Sequence, residues 1–168
     1  MDQMQALNQI HRPELGDTVP LSVFRIFRQF SAQYSIEILG EKGVKTTFTY
    51  AGRMLGLDIG KELYAEDLNE YLSGVKKYVY EAKIGILNLV ESDDEKMVFQ
   101  LEECITCAGM PNMGVSICHF EVGMVAGIVE FYLKKKVSAS ETKCNVNGDE
   151  CCEVTVMLNP VSSRLNSR

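Results

Sequence analysis

Tryptophan is absent from this chain, and only two histidines and four prolines are present. So few imidazoles leave little scope for histidine-based acid and base chemistry. His11 lies in a polar stretch and His119 follows a cysteine, neither with an evident carboxylate partner in the sequence. Positive charge is also in short supply: seventeen Lys and Arg against twenty-three Asp and Glu leave a formal charge of -6. The basic runs, such as Lys134, Lys135 and Lys136, are too short to offset it, which argues against nucleic acid as a partner. Long apolar runs are missing as well. The longest, residues 122–133, contains Glu130 and falls below the roughly 20 residues that cross a bilayer, so it reads as a buried helix and no membrane span is expected. The opening residues, MDQMQALNQIHRPELGD, show no basic region leading into an apolar segment, and a cytoplasmic location is expected. Neither a G-x-G-x-x-G nor a G-x-x-x-x-G-K-[ST] loop occurs, so no phosphate cradle of either kind is on offer.

Cysteine is unevenly supplied. The first 103 residues have none and the remaining 65 hold six: Cys104, Cys107, Cys118, Cys144, Cys151 and Cys152. In a reducing compartment such clustering points to metal or redox chemistry rather than to a disulfide framework. The 168 residues, 46% of them hydrophobic, suffice for one domain with its own core. Residues 1–168 are therefore read as a single domain, with a polar arm over 1–18 and a frayed tail over 161–168.

Pro20 opens a helical pattern in which Val23, Ile26, Phe27, Phe30 and Tyr34 form one apolar stripe, and Gly40 can end it. A second helix carries Val44, Phe48, Ala51 and Leu55 on one side, with Gly52 and Gly56 one turn apart where a neighbouring backbone can come close. Its tail, GLDIGKEL, reads as a turn. A third helix keeps Leu68, Tyr71, Leu72, Val75, Tyr78, Val79 and Ala82 at helical spacing. Strands follow over 84–91 and 96–104, joined at 92–95. A fourth helix over 119–133 is apolar on nearly every side, with Gly123 and Gly127 allowing tight packing. A last hairpin spans 137–158 around Asn147-Gly148, a two-residue turn signal. About four helices and about four mainly antiparallel strands make an α+β domain.

Zinc takes four ligands in a tetrahedron, and a hairpin supplies two of them at small conformational cost. Cys144 precedes the Asn147-Gly148 turn and Cys151 and Cys152 follow it. Alternation sets Cys152 with Val154, Val156 and Leu158 on the inward face. A plain two-residue turn would instead place Cys144 opposite Cys151, so choosing Cys152 requires a bulge or a longer loop. Cys118, at the start of the buried helix, is a third donor, because the helix terminus favours a thiolate. The fourth is open among Glu141, His119, Cys107 and Cys104, and Glu141 joins Cys144 only if the strand between them is irregular.

The run CHFEVGMVAGIVEFYL followed by SETKCNVNGDECCEVTV resembles the vinyl-4-reductase-like domain. That is a small-molecule-binding fold related to the small subunits of the TRAPP vesicle-tethering complex and to the sensor domains of aromatic-responsive bacterial regulators. Its pattern is a Cys, a Gly-x-x-x-Gly helix, E-x-x-C, a Gly and a final Cys, met here by Cys118, Gly123 with Gly127, Glu141, Cys144, Gly148 and Cys152. YAGRMLG at 50–56 is similar to the family's second-helix signature. The resemblance implies a TRAPP small-subunit-like fold and a zinc held by Cys118, Glu141, Cys144 and Cys152. Cys104 and Cys107 lie outside that motif. The aromatic sensors also belong to long activators with an ATPase and a DNA-binding unit, and some of their pockets use Trp, so a phenol ligand does not carry over.

With four protein ligands the zinc has no open position and is expected to fasten the last hairpin to the buried helix. The expected function is a sensor-like domain binding an apolar or aromatic small molecule between the buried helix and the sheet, with Phe48, Tyr50, Phe120, Met124, Ile128 and Phe131 as candidate lining. The rival is a reductase, or an accessory protein, acting on a vinyl or tetrapyrrole-type substrate; no hydride-source site supports it, no catalytic residue is assigned, and whether any catalysis occurs stays open. The C-x-x-C pair admits redox work or a second metal, with iron an option in place of zinc. A homodimer is expected from the apolar arms of the chain and the family precedent, with no interface assigned.

Overall fold

Pro20 presets the first turn, and in the computed structural model the chain runs helical over Leu21–Glu62 (α1), interrupted at Gly40, whose φ of 67° and ψ of 165° are non-helical. The expected stop at Gly40 is thus a break between two helical stretches, a conformation that glycine adopts without a Cβ penalty. The structure describes residues 6, 7 and 9–159, and the tail at 161–168 lies outside them. Contacts divide the chain into two units, Met1–Ile38 and Leu39–Arg168. In the first, the stripe of Val23, Ile26, Phe27, Phe30 and Tyr34 is exposed.

In the second unit, α1 does not turn at GLDIGKEL as expected but continues to Glu62. Ile59 is buried, and Gly60 lies so close to Phe131 and Tyr71 that a Cβ there would meet both at 2.7 Å; packing holds the helix through residues that local signals mark as a turn. Leu68–Glu81 (α2) begins at Asp67, whose carboxylate accepts the Glu70 N–H at 2.9 Å. It buries Tyr71, Leu72, Val75 and Val79, as the spacing predicts. Strands Ile86–Ser92 (β1) and Lys96–Glu102 (β2) follow, then helix His119–Leu133 (α3), and strands Ser138–Lys143 (β3) and Cys152–Met157 (β4).

The four strands form one antiparallel sheet in the order β1-β2-β4-β3. α2 packs on β1, and α3 packs on β3 and β4. Every residue of α3 from Glu121 to Glu130 is buried, including both glutamates. Glu121 accepts the Thr106 hydroxyl at 2.6 Å. Glu130 is paired with Arg53, accepts the Val137 N–H at 3.0 Å and meets the Lys136 ammonium at 3.3 Å. Buried carboxylates are tolerated only when partnered in this way. Among the described residues, no helix is long and apolar enough to cross a membrane.

The contact that fixes α3 is glycine against glycine. A Cβ at Gly123 would run into the Thr49 carbonyl and one at Gly127 into the Arg53 carbonyl; in return, Cβ atoms at Gly52 and Gly56 would strike the Phe120 and Met124 carbonyls. Backbones this close leave no side chain to yield. Gly123→Ala should therefore destabilise the protein by about 3 kcal/mol in urea unfolding. Gly74→Ala, where a Cβ meets only Leu63 at 3.8 Å, should be neutral or stabilise by up to about 1 kcal/mol. Equal effects at the two sites would contradict the packing argument.

Candidate metal centre and adjoining cleft

Cys118 is the N-cap residue of α3, and its side chain caps nothing. Its amide donates to Glu141 Oε2 of β3 at 3.2 Å, so the first turn of α3 is tied to the last hairpin through a carboxylate. The β3–β4 register shifts between Glu141 and Lys143. This is the irregularity that Glu141 and Cys144 need to face one another.

The two-residue turn expected at Asn147-Gly148 is not formed. Residues 144–151 make a longer loop, with a 3-10 turn over Asn145–Asn147 that ends at Gly148, φ 97°. The loop has its own hydrogen bonds, which outweigh the Asn-Gly preference. Asp149 accepts the Cys144 N–H at 2.8 Å, and the Asn145 side-chain amide donates to the Glu150 carbonyl at 2.9 Å. Cys152 consequently points inward and is buried, whereas Cys151 is half-buried.

The structure brings Cys118, Glu141, Cys144 and Cys152 together, with one ligand atom from each within 4.8 Å of the others. It also brings in the pair that lies outside the family motif. The second strand stops at Glu102 rather than 104, and Cys104 and Cys107 sit on the turn that follows, closed by the Ala108 N–H to the Cys104 carbonyl at 2.9 Å. Cys104, Cys107, Cys118 and Cys152 form a second set within 4.8 Å. The sulfur of Cys118 lies 3.7 Å from Cys104, 3.4 Å from Cys107, 3.8 Å from Cys144 and 3.7 Å from Cys152, and Cys107 lies 3.1 Å from Cys152. All five cysteines are buried, and all are free thiols.

Sulfurs this close govern one another's protons. Cys118 and Cys152 are pushed up, first by the Cys104 sulfur, while Cys104 and Cys144 are pulled down, first by Cys107. The lowering expected at Cys118 from its helix terminus is thus overridden by its sulfur neighbours. Burial pushes Glu141 up to about 9, the Cys144 sulfur adds to the rise, and the Cys118 N–H opposes it. Glu141 Oε1 is buried without a hydrogen-bond partner. His119 Nδ1 lies 3.9 Å from the Glu141 carboxylate and stands in neither set of four. Thiols and a carboxylate in tetrahedral reach are a donor set that can hold a metal ion.

Beside this cluster, a cleft of about 580 Å³ runs between α1 and β3, with Lys42, Lys45, Tyr50, Arg53, Val122 and Ala139 in its walls and with His119 and Glu141 at its floor. Of the residues expected to line a pocket, Tyr50 lies in this cleft. Met124 and Ile128 are fully buried in the core, and Phe48, Phe120 and Phe131 are half-buried. The cationic walls at Lys42, Lys45 and Arg53 carry no local sequence signal, because only the crossing of α1 with α3 sets them beside Glu141.

An antiparallel α+β domain with a buried thiol cluster under its last hairpin is the class that these features define. Residues 97–158 match the vinyl-4-reductase domain. Protein MJ0150 of Methanocaldococcus jannaschii is 36% identical over 154 residues, covering 88% of this chain and 82% of that one. MJ1642 of the same organism is 33% identical over 146 residues, covering 86% and 81%. The chain belongs to the vinyl-4-reductase domain family.

Solved structures that share the fold include three at low sequence identity. The phenol-responsive sensory domain of the transcription activator PoxR, with phenol, has a TM-score of 0.64 at 12% identity, covering 84% of this chain and 76% of that one. A vinyl-4-reductase family protein from M. jannaschii has 0.59 at 18%, covering 87% and 86%. A trafficking protein particle complex subunit 3 from Naegleria fowleri, covalently bound to palmitic acid, has 0.55 at 12%, covering 80% and 94%.

Burial predicts the reactivity of the thiols. In native protein, one thiol, Cys151, should react rapidly with a disulfide reagent, and the other five only on unfolding, as read by absorbance against time. Two or more fast thiols would contradict the placement.

Proposed function

We propose that this chain is a sensor-like domain for a small molecule, in which one zinc ion, held by Cys118, Glu141, Cys144 and Cys152, clips the last hairpin to the buried helix. The observation that carries the reading is Glu141: its Oε1 is buried without a partner, and one of its oxygens lies within 4.8 Å of three sulfurs. A buried carboxyl left in this way is costly, and a cation would relieve it. Four protein donors fill a tetrahedral site, so the metal would contribute folding energy rather than activate water. Free thiols throughout suit a reducing compartment, the cytoplasm.

The ligand site in this reading is the cleft over Glu141. Tyr50, Val122 and Ala139 offer an apolar bed, and Lys42, Lys45 and Arg53 favour an anionic group at the rim. An apolar or aromatic molecule bearing an acidic group fits both. The fold shared with a phenol-responsive sensory domain supports a small aromatic ligand. Because Glu141 faces both cleft and sulfurs, an occupant would touch the carboxylate that completes the clip. The exposed stripe of Val23, Ile26, Phe27, Phe30 and Tyr34 is the surface on which two copies would pair as a homodimer.

Cys144→Ser should release the zinc and lower Tm together, by on the order of 10 °C, as read by elemental analysis and calorimetry; metal retained at full stoichiometry would refute the clip. Aromatic acids should raise Tm of the wild type, and Ala139→Trp, which fills the cleft, should abolish that rise while metal content is unchanged. A rise that persists would place the ligand elsewhere. Phe27→Asp with Phe30→Asp should convert a dimer to a monomer in sedimentation velocity, and a wild type that sediments as a monomer would overturn the pairing.

A further inference from the structure

The single-zinc reading uses three of the five clustered sulfurs and leaves Cys104 and Cys107 without a task. Neither is remote. Both are fully buried, and each touches a sulfur of the proposed site: Cys104 lies 3.7 Å from Cys118, and Cys107 lies 3.4 Å from Cys118 and 3.1 Å from Cys152. The six donor groups resolve into two quartets, Cys104-Cys107-Cys118-Cys152 and Cys118-Glu141-Cys144-Cys152, which have Cys118 and Cys152 in common.

We propose that the cluster holds two divalent thiophilic cations of the zinc type, bridged by the Cys118 and Cys152 thiolates. This rests on the single-zinc reading for the first ion and adds the second. In a tetrahedral site with metal–sulfur bonds of about 2.3 Å, neighbouring sulfurs stand about 3.8 Å apart. The shared edge, Cys118 to Cys152, measures 3.7 Å, and edges reaching out from it measure 3.7 Å to Cys104 and 3.8 Å to Cys144. The closer contacts of Cys107, 3.4 Å to Cys118 and 3.1 Å to Cys152, are tighter than two sulfurs in ordinary contact, and an intervening cation would spread them toward the roughly 3.8 Å of a tetrahedral edge.

Charge permits the second ion. The first quartet, as three thiolates and a carboxylate, surrounds one dication with four negative charges. Adding Cys104 and Cys107 as thiolates together with a second dication leaves the net buried charge unchanged. A metal-bound thiolate keeps lone pairs for a second bond, and those of Cys118 and Cys152 have Cys104 and Cys107 as neighbours. The C-x-x-C turn supplies the two terminal ligands at the spacing common to zinc-binding turns.

Native mass spectrometry of the full chain, purified from zinc-supplemented cells, should find two zinc ions per chain. The double variant Cys104→Ser with Cys107→Ser should retain one, with its circular dichroism unchanged. Cobalt(II) replacement gives a second readout that does not depend on variants folding. The electron paramagnetic resonance signal should grow to one equivalent and then fall as the second ion couples to the first through the bridging sulfurs. One zinc per chain that survives in the double variant, with a cobalt signal that never falls, would overturn the two-ion centre and leave the single clip standing. One ion lost in the double variant but kept in Cys144→Ser would overturn the clip reading, and the two-ion centre with it.

Discussion

Four buried sulfurs, those of Cys104, Cys107, Cys144 and Cys152, within 3.8 Å of the buried sulfur of Cys118 and none of them in a disulfide, set the terms for the rest of this structure. Thiols are weak hydrogen-bond partners, and a buried carboxylate beside them is worse served still. Glu141 has one oxygen without a partner and a carboxyl pushed up to about 9. A thiophilic cation would resolve these demands together: in the proposed function it would draw off the protons, give each donor a strong bond and tie three distant segments to one point. The segments concerned are the turn after β2, the start of α3 and the β3–β4 loop.

What positions the cluster is a second constraint, the contact of α1 with α3. Gly52 and Gly56 face Gly123 and Gly127 so closely that side chains are excluded from the crossing. That approach sets the N-terminus of α3, and with it Cys118 and His119, beside β3. It also sets Lys42, Lys45 and Arg53 over Glu141 as the walls of the cleft. Cleft and cluster therefore meet at one carboxylate. In the proposed function, that is how the state of one would be felt by the other.

Much of this is written locally in the chain. Gly40 breaks α1, Asp67 caps α2, and the apolar run that becomes α3 extends over His119–Leu133 as its composition predicts. Alternation along β4 places Cys152 inward, and the bulge at Glu141 is the irregularity that the E-x-x-C spacing demanded. Two features of the cluster were not legible. The Asn147-Gly148 signal describes a two-residue turn, but Asp149 and Asn145 bind the backbone of a longer loop, and short-range propensity yields to those bonds. The entry of Cys104 and Cys107 into the cluster depends on β2 pairing with β4, Leu101 opposite Cys152. That register joins residues about fifty apart, and no local pattern reports it. The crowding of all six cysteines into the last 65 residues hinted at a common purpose and left Cys104 and Cys107 open as ligands, without placing them.

X-ray absorption at the zinc edge of the purified protein bears most directly on the claim that these sulfurs are gathered around metal. The account predicts a first shell dominated by sulfur at about 2.3 Å, with at most one oxygen neighbour per zinc. A shell made of nitrogen and oxygen alone, or a protein that carries no zinc and has its thiols joined in pairs, would contradict it.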